Sequence, residues 1–307
     1  MSWDWLMEEL SPGEIVLRGI KRVETWVTTE YQEVAVVEIE GLGKTLVIDG
    51  KVQSSLYDEF VYHEALVHPA MVTHGRPRRV LIIGGGEGAT LREVLRYKCV
   101  EEAIMVDIDR RVVELAKTLL PEWHDGAFDD PRAKVLFMDG RRYVEGAAAR
   151  GESFDVVVVD VVDPLAGGPA VKLYTVEFYK LLKKLVGERG IMVTQATSPD
   201  HYPQVYFTVA RTIAEVFDIV RPYVVSVRSF GGVWGFVLGS ASGDPKALRS
   251  EEVDKKLTEL LESAREKLRF YDGETHASLF NLPKHYRRML SEPRRPSRDE
   301  EPVEALY

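Results

Sequence analysis

Segment 154–160, FDVVVVD, sets four valines in a row and ends them on an aspartate. A strand with one face in water alternates apolar and polar residues, so this run needs apolar neighbours on both faces. It belongs to a series. RVLIIG begins at 79, and AIMVD, AKVLFMD and RGIMVTQ recur at similar intervals, with helical patterns such as TLREVLRY and RRVVELAKTLL between them. Doubly buried runs alternating with helices predict a parallel sheet covered on both sides, a doubly wound α/β domain. IVRPYVVSVRSF and VWGFVLGS add two strands, expected as a reversed hairpin at the sheet edge. That brings the expected sheet to seven strands.

The ends of the chain read differently. EVAVVEIEG and KTLVIDGKVQ are short β-rich runs broken by Gly41, Gly43 and Gly50, so residues 1–60 predict a small β domain. EFVYHEALVHPAMV has helical spacing and opens the larger domain, expected over 61–290, with a charged amphipathic helix over 250–268. The Pro-rich, charged end, 291–307, is expected to be a mobile tail.

Composition removes several functions. With 45% hydrophobic and 29% charged residues, the 307-residue chain is globular in type. Its net charge of −9 argues against duplex DNA as a partner. Cys99 stands alone, which excludes an intramolecular disulfide and Cys-rich zinc sites. The start, MSWDWLMEELSPGE, lacks the flank and apolar core of a signal peptide, and no apolar stretch reaches bilayer length. The expectation is a cytoplasmic protein without membrane contact.

Two clusters carry chemistry. Gly84-Gly85-Gly86-Glu87-Gly88 lies between strand VLII and a helix, where glycines permit a tight turn and close approach to a ligand. Asp107, Asp139 and Asp160 end successive strands, and so share the sheet rim where open α/β folds bind ligands. Asp107 lies 19 residues past Gly88, near the spacing of a carboxylate that accepts ribose hydroxyls. The spacing is G-x-G-x-G rather than G-x-G-x-x-G, and Glu87 within the turn would repel pyrophosphate. A cationic ligand such as a sulfonium suits it better. The competing reading is that these glycines only turn a corner.

The second cluster is Asp160 with Asp163, three residues apart on one loop. Two carboxylates that close repel unless a cation lies between them, and a polyamine is such a cation. Alkyl transfer from sulfonium to amine needs a neutral nitrogen, hence a carboxylate base near an amine of pKa about 10. The sulfonium is already a good leaving group, so neither metal nor cofactor is expected, and positioning should supply most of the rate. For Asp163, an Asx turn before Pro164 is the bland alternative.

Gln32 in EYQEV, Tyr62-His63 in EFVYHEALVHPA, GGGEGATLREV, VDID, MDGR, DVVDP, LYTVEFY and GIMVTQ occur in that order. Together they resemble the spermidine synthase family from about 14 to 285. The resemblance implies a small N-terminal β domain followed by a Rossmann-like, class I methyltransferase-like domain. It also implies aminopropyl transfer from decarboxylated S-adenosylmethionine, as co-substrate, to a polyamine. On the matching positions, Gln32, Asp107, Asp139 and Gly140 would hold the nucleoside beside Gly84 and Gly86. Glu87 would bind the aminopropyl ammonium, and Asp160 would accept the proton. Tyr62, His63 and Asp163 would line the acceptor tunnel. A homodimer or homotetramer is implied, with the N-terminal sheet as candidate interface.

Departures from the family pattern are informative. Glu87 stands where most members have Asp, and Asp107 where they have Glu. The loop DPLAGGPAVKLYT is two residues longer than the usual DP-x-G-P form. SFGGVWGF replaces the usual Tyr-Pro-Ser-Gly, with Phe230 at the tyrosine position and Trp234 as a candidate aromatic wall. These features resemble the thermospermine synthase branch, which implies spermidine as acceptor. Putrescine or agmatine as acceptor, an S-adenosylmethionine amine methyltransferase and a polyamine-binding regulator are the other readings. His63 and His68 lack metal-ligand spacing, His124 and His201 read as loop residues, and Arg110-Arg111 and Arg141-Arg142 as solvated helix starts.

Overall fold

The computed structural model describes residues 4–305; the two extremities of the expected N-terminal domain and tail lie outside the described residues. The chain opens with β1 (Asp4–Ser11), β2 (Glu14–Thr28), β3 (Glu33–Ile39), β4 (Gly43–Ile48) and β5 (Lys51–Ser55), paired in that order as an antiparallel meander. KTLVIDGKVQ is therefore two strands. Asp49 and Gly50 both take positive φ, 48° and 73°, in the two-residue hairpin that separates them. The first two strands alternate burial, and their outer face leaves Trp5, Met7, Ile15 and Leu17 more than half exposed.

Next come α1 (Glu59–His74), β6 (Arg79–Gly84), α2 (Ala89–Leu95), β7 (Glu102–Asp107), α3 (Arg110–Leu119), the single turn α4 (Pro121–His124), β8 (Ala133–Phe137), α5 (Gly140–Arg150) and β9 (Val156–Asp160). Then follow α6 (Val176–Val186), β10 (Ile191–Gln195), α7 (Pro203–Ala214), β11 (Ile219–Val227), β12 (Gly232–Ser240), α8 (Ser250–Leu261), α9 (Gly273–Leu279) and α10 (Lys284–Ser291). The second sheet has seven strands in the order β11-β12-β10-β9-β6-β7-β8. Pairing is parallel from β10 to β8 and antiparallel on both sides of β12. The four valines of β9 are fully buried between two apolar layers, as their lack of alternation requires. The fold is a Rossmann-like, methyltransferase-type α/β domain behind a small antiparallel sheet.

Strand order reverses between β6 and β9, whose carboxyl ends lie side by side with Gly84 opposite Asp160. Such a reversal leaves a crevice above the strand ends. Gly84 takes φ +81°, and a Cβ there would lie 2.1 Å from the Asp160 carbonyl oxygen, so only glycine lets the two strands end this close. Among the described residues, no helix is long and apolar enough to cross a membrane.

Three expectations change. The helix expected over 250–268 ends at Leu261, where Glu262 takes φ +51° and a 3-10 turn follows. The expected mobile tail is instead bound to the domain through residue 305: Ala305 is buried and its N–H donates to the Pro164 carbonyl at 2.8 Å. Its proline and charge content suggested a solvated segment, but Arg294, Arg298 and Asp299 have partners. One is Arg141, expected as a solvated helix start, whose guanidinium forms a two-pronged pair with Asp299. Arg110 likewise lies over the Phe137 ring, 4.3 Å from its centre.

Candidate active site

The crevice is a cavity whose floor is the glycine turn after β6 and the ends of β7 and β9, roofed on one side by the N-terminal sheet. Its lining carries eight carboxylates (Glu8, Glu9, Asp49, Glu87, Asp107, Asp139, Asp160 and Asp163) against one lysine, Lys51. Walls of one sign around a partly enclosed space focus potential and draw in the opposite charge. A cationic ligand suits this cavity and a pyrophosphate does not.

Asp160 occupies the centre. Tyr62 donates to its Oδ1 at 2.7 Å and Thr90 to its Oδ2 at 2.5 Å. Burial and the Asp160 charge push the Tyr62 phenol well above its ordinary range, so it stays a donor. A carboxylate has about four lone-pair sites, so two donors orient it and leave acceptor capacity facing the cavity. Asp163 also lines the cavity, and the Leu165 N–H donates to its backbone carbonyl at 2.8 Å. Its carboxylate accepts from Gln195 and Thr197, both at 3.2 Å, and Gln195 is itself held by Tyr174 and the Val161 carbonyl.

The residues expected at a nucleoside lie toward β7. Asp107 accepts the Asp109 N–H at 2.8 Å. Burial, with the charges of Asp109 and Asp160 adding to it, pushes the Asp107 carboxyl up to about 6. A Cβ on Gly86 would lie 2.8 Å from Asp107 Oδ2, so glycine keeps that face open. Asp139 both lines the cavity and caps α5, accepting the Arg142 N–H at 2.8 Å, with Gly140 beside it. Gln32 lines the opposite wall and donates to Asp109, the cap of α3, at 3.1 Å. Phe230 and Trp234 meet edge to face, 4.7 Å apart, on the side of Tyr62.

His63 is the exception among the expected tunnel residues: it is fully buried behind the wall. Its Nε2 lies 2.7 Å from Glu87 Oε1 and its Nδ1 3.0 Å from Glu59 Oε2. Burial opposes its charge, but hydrogen bonds to Glu59 and Glu87 outweigh burial and push its pKa up to about 10. Both of its ring nitrogens thus face acceptors, Nδ1 also lying 2.7 Å from the Glu59 carbonyl, which favours the protonated ring. Burial holds the Glu87 carboxyl above its ordinary range despite His63, and the Asp160 charge adds to the shift. A cation entering between Glu87 and Asp160 would relieve that repulsion.

Behind His63 the charges continue inward. Arg92 holds both Glu59 oxygens, at 2.9 and 3.2 Å, and Glu93 at 2.8 Å; Glu93 also meets Arg96 at 2.9 Å. Sequence reading missed this chain, together with Thr90, Gln195, Glu8, Glu9 and Lys51. Thr90 and Gln195 sat inside motifs already singled out. Lys51, just past the hairpin, donates to the Glu9 carbonyl. Burial lowers its pKa, with Glu8, Glu9 and Asp163 opposing.

The spermine/spermidine synthase domain family matches residues 59–249. A relative named polyamine aminopropyltransferase 2, from Hyperthermus butylicus, is 52% identical over 99% of this chain and 97% of its own. A polyamine aminopropyltransferase of Aeropyrum pernix is 47% identical over 96% and 93%. Among solved structures, spermidine synthase in complex with the transition state analogue AdoDATO superposes with a TM-score of 0.85 at 33% identity, covering 94% of each chain. Spermidine synthase from Thermotoga maritima gives 0.83 at 32% identity over the same shares. The acid-lined crevice at the strand reversal thus stands in a chain that belongs to the spermine/spermidine synthase family, the polyamine aminopropyltransferases.

Proposed function

We propose that this aminopropyltransferase moves the aminopropyl group of decarboxylated S-adenosylmethionine to spermidine, giving thermospermine or spermine and releasing 5'-methylthioadenosine. The observation that carries the reading is Asp160, fixed by Tyr62 and Thr90 in a cavity of eight carboxylates. Asp160 takes the proton from the attacking amine as the nitrogen bonds to the aminopropyl carbon and the carbon–sulfur bond breaks. Asp107, Asp139, Gly140 and Gln32 hold the nucleoside, with Gly84 and Gly86 admitting it to the backbone. Glu87 receives the aminopropyl ammonium, and Asp163 an acceptor ammonium. No metal or cofactor enters this scheme. The relative that carries AdoDATO supports the co-substrate half of the assignment.

Spermidine is favoured over putrescine or agmatine by the longer 163–175 loop along the cavity and by Phe230 at its wall. Glu87 disfavours S-adenosylmethionine itself, whose carboxylate would face it. The deciding assay supplies decarboxylated S-adenosylmethionine with a panel of di- and triamines and separates spermine from thermospermine. Transfer to putrescine alone would overturn the acceptor, and amine methylation with S-adenosylmethionine would overturn the donor. Asp160→Asn should lose roughly 10²–10⁴-fold in turnover with the fold intact. The exposed face of Trp5, Met7, Ile15 and Leu17 suits a homo-oligomer, which light scattering of wild type and Leu17→Glu would test.

A further inference from the structure

The segment from Ser297 to Ala305 reaches the active-site loop from outside. That loop, 161–175, supplies Val161, Val162, Asp163, Leu165, Pro169 and Ala170 to the cavity wall. Gln195 fixes its start by binding the Val161 carbonyl and Asp163. Beyond Asp163 the loop has little regular structure, only one bridge and a 3-10 turn; Tyr174 anchors its end in the core through Gln195 and the Val162 carbonyl, and residues 297–305 hold it from outside. Ala305 donates to the Pro164 carbonyl at 2.8 Å and forms a parallel bridge with Leu165.

At the far end of the loop, Thr175 caps α6 and donates to Asp299 at 2.7 Å. Asp299 is also gripped by Arg141, at 2.7 and 2.5 Å, and Arg141 binds the Lys172 carbonyl at 3.0 Å. The segment is itself tied down where the Val176 N–H donates to the Ser297 carbonyl and the Ser297 N–H to Thr212, both at 2.9 Å.

We propose that residues 297–305 are a strap that sets the acceptor side of the cavity, with Asp299 and Ala305 as positioning residues for loop 161–175. The inference rests on the acceptor lying along that loop, as in the reading above. Neither residue touches the cavity. Ala305 fixes the backbone beside Asp163 and Leu165, and Asp299 fixes the other end of the same loop at Lys172 and Thr175, so loosening either one weakens acceptor binding more than nucleoside binding. The Arg141 hydrogen bonds hold the Asp299 carboxyl below its ordinary range, so the clamp persists through neutral pH.

The test compares wild type, Asp299→Asn, Asp299→Glu and a chain shortened before Val303. Amide exchange across 161–175 is read by mass spectrometry, and KM is measured for spermidine and for decarboxylated S-adenosylmethionine. Asp299→Asn and the shortened chain should exchange faster in the loop and raise the acceptor KM by roughly tenfold, with the donor KM little changed. Asp299→Glu should recover part of the loss. Unchanged loop exchange and unchanged acceptor KM in both variants would overturn the strap. If wild type transfers no aminopropyl group to any amine, the functional reading fails, while the exchange arm still decides whether the strap holds the loop.

Discussion

Charge at single residues decides how this site responds to pH. Asp107, pushed up to about 6 by burial, is mostly ionised at neutral pH and mostly neutral at pH 5. Protonation turns one Asp107 oxygen into a donor and weakens the other as an acceptor, so on the proposed nucleoside role of Asp107 affinity for decarboxylated S-adenosylmethionine should fall as pH drops through about 6. Calorimetric titration at pH 5 and 7.5 checks this, and Asp107→Asn should bind weakly at both. His63 works in the other direction. Its folded pKa of about 10 lies above the ordinary imidazole value of about 6.5, so its stabilising contribution is complete below about 6.5. That contribution is lost as pH rises through about 10. Denaturant midpoints should therefore decline between pH 7 and 10, and the decline should flatten in His63→Gln. An equal slope in both proteins would show that other groups carry it.

Strand ends and turns, rather than whole strands, fix where these residues meet. Gly84→Ala should be among the most damaging small substitutions, because its Cβ would fall 2.1 Å from the Asp160 carbonyl at a φ of +81°. Either β6 and β9 part or the backbone refolds. Unfolding should show a loss of at least about 1–3 kcal/mol, accompanied by weaker co-substrate binding. A near-neutral effect would mean the turn can yield. The seven-stranded domain was legible in the sequence for a local reason: its inner strands β6, β7, β9 and β10 are buried on both faces, carry no polar alternation and end in Gly84, Asp107, Asp160 and Gln195, whereas β8, read the same way, is an edge strand of half-buried and exposed residues that ends at Phe137. The cavity acids on those ends were legible for the same reason. What stayed hidden depends on contacts distant in sequence. Glu8 and Glu9 reach the cavity only because the meander folds over it, and His63 was placed in the tunnel because its depth follows from α1 being buried on every side. The tail looked solvated because Asp299 and Arg141, 158 positions apart, carry no sequence sign of pairing.

Across the whole molecule, the cavity and the interior are joined by alternating charges: Glu87, His63, Glu59, Arg92, Glu93 and Arg96. Charges taken out of water at room temperature give back little, because the hydration lost nearly cancels the attraction gained. Hydration of ions weakens as temperature rises, while the attraction within the chain of charges persists. The neutral double variant Glu59→Gln/Arg92→Gln should thus lie close to wild type in the cold and fall progressively below it on heating. Stability curves from calorimetry and denaturant would read this, and a gap that stays constant with temperature would refute it. The wall that carries Glu87 would then lose less of its hold on heating than walls fastened by apolar contacts alone.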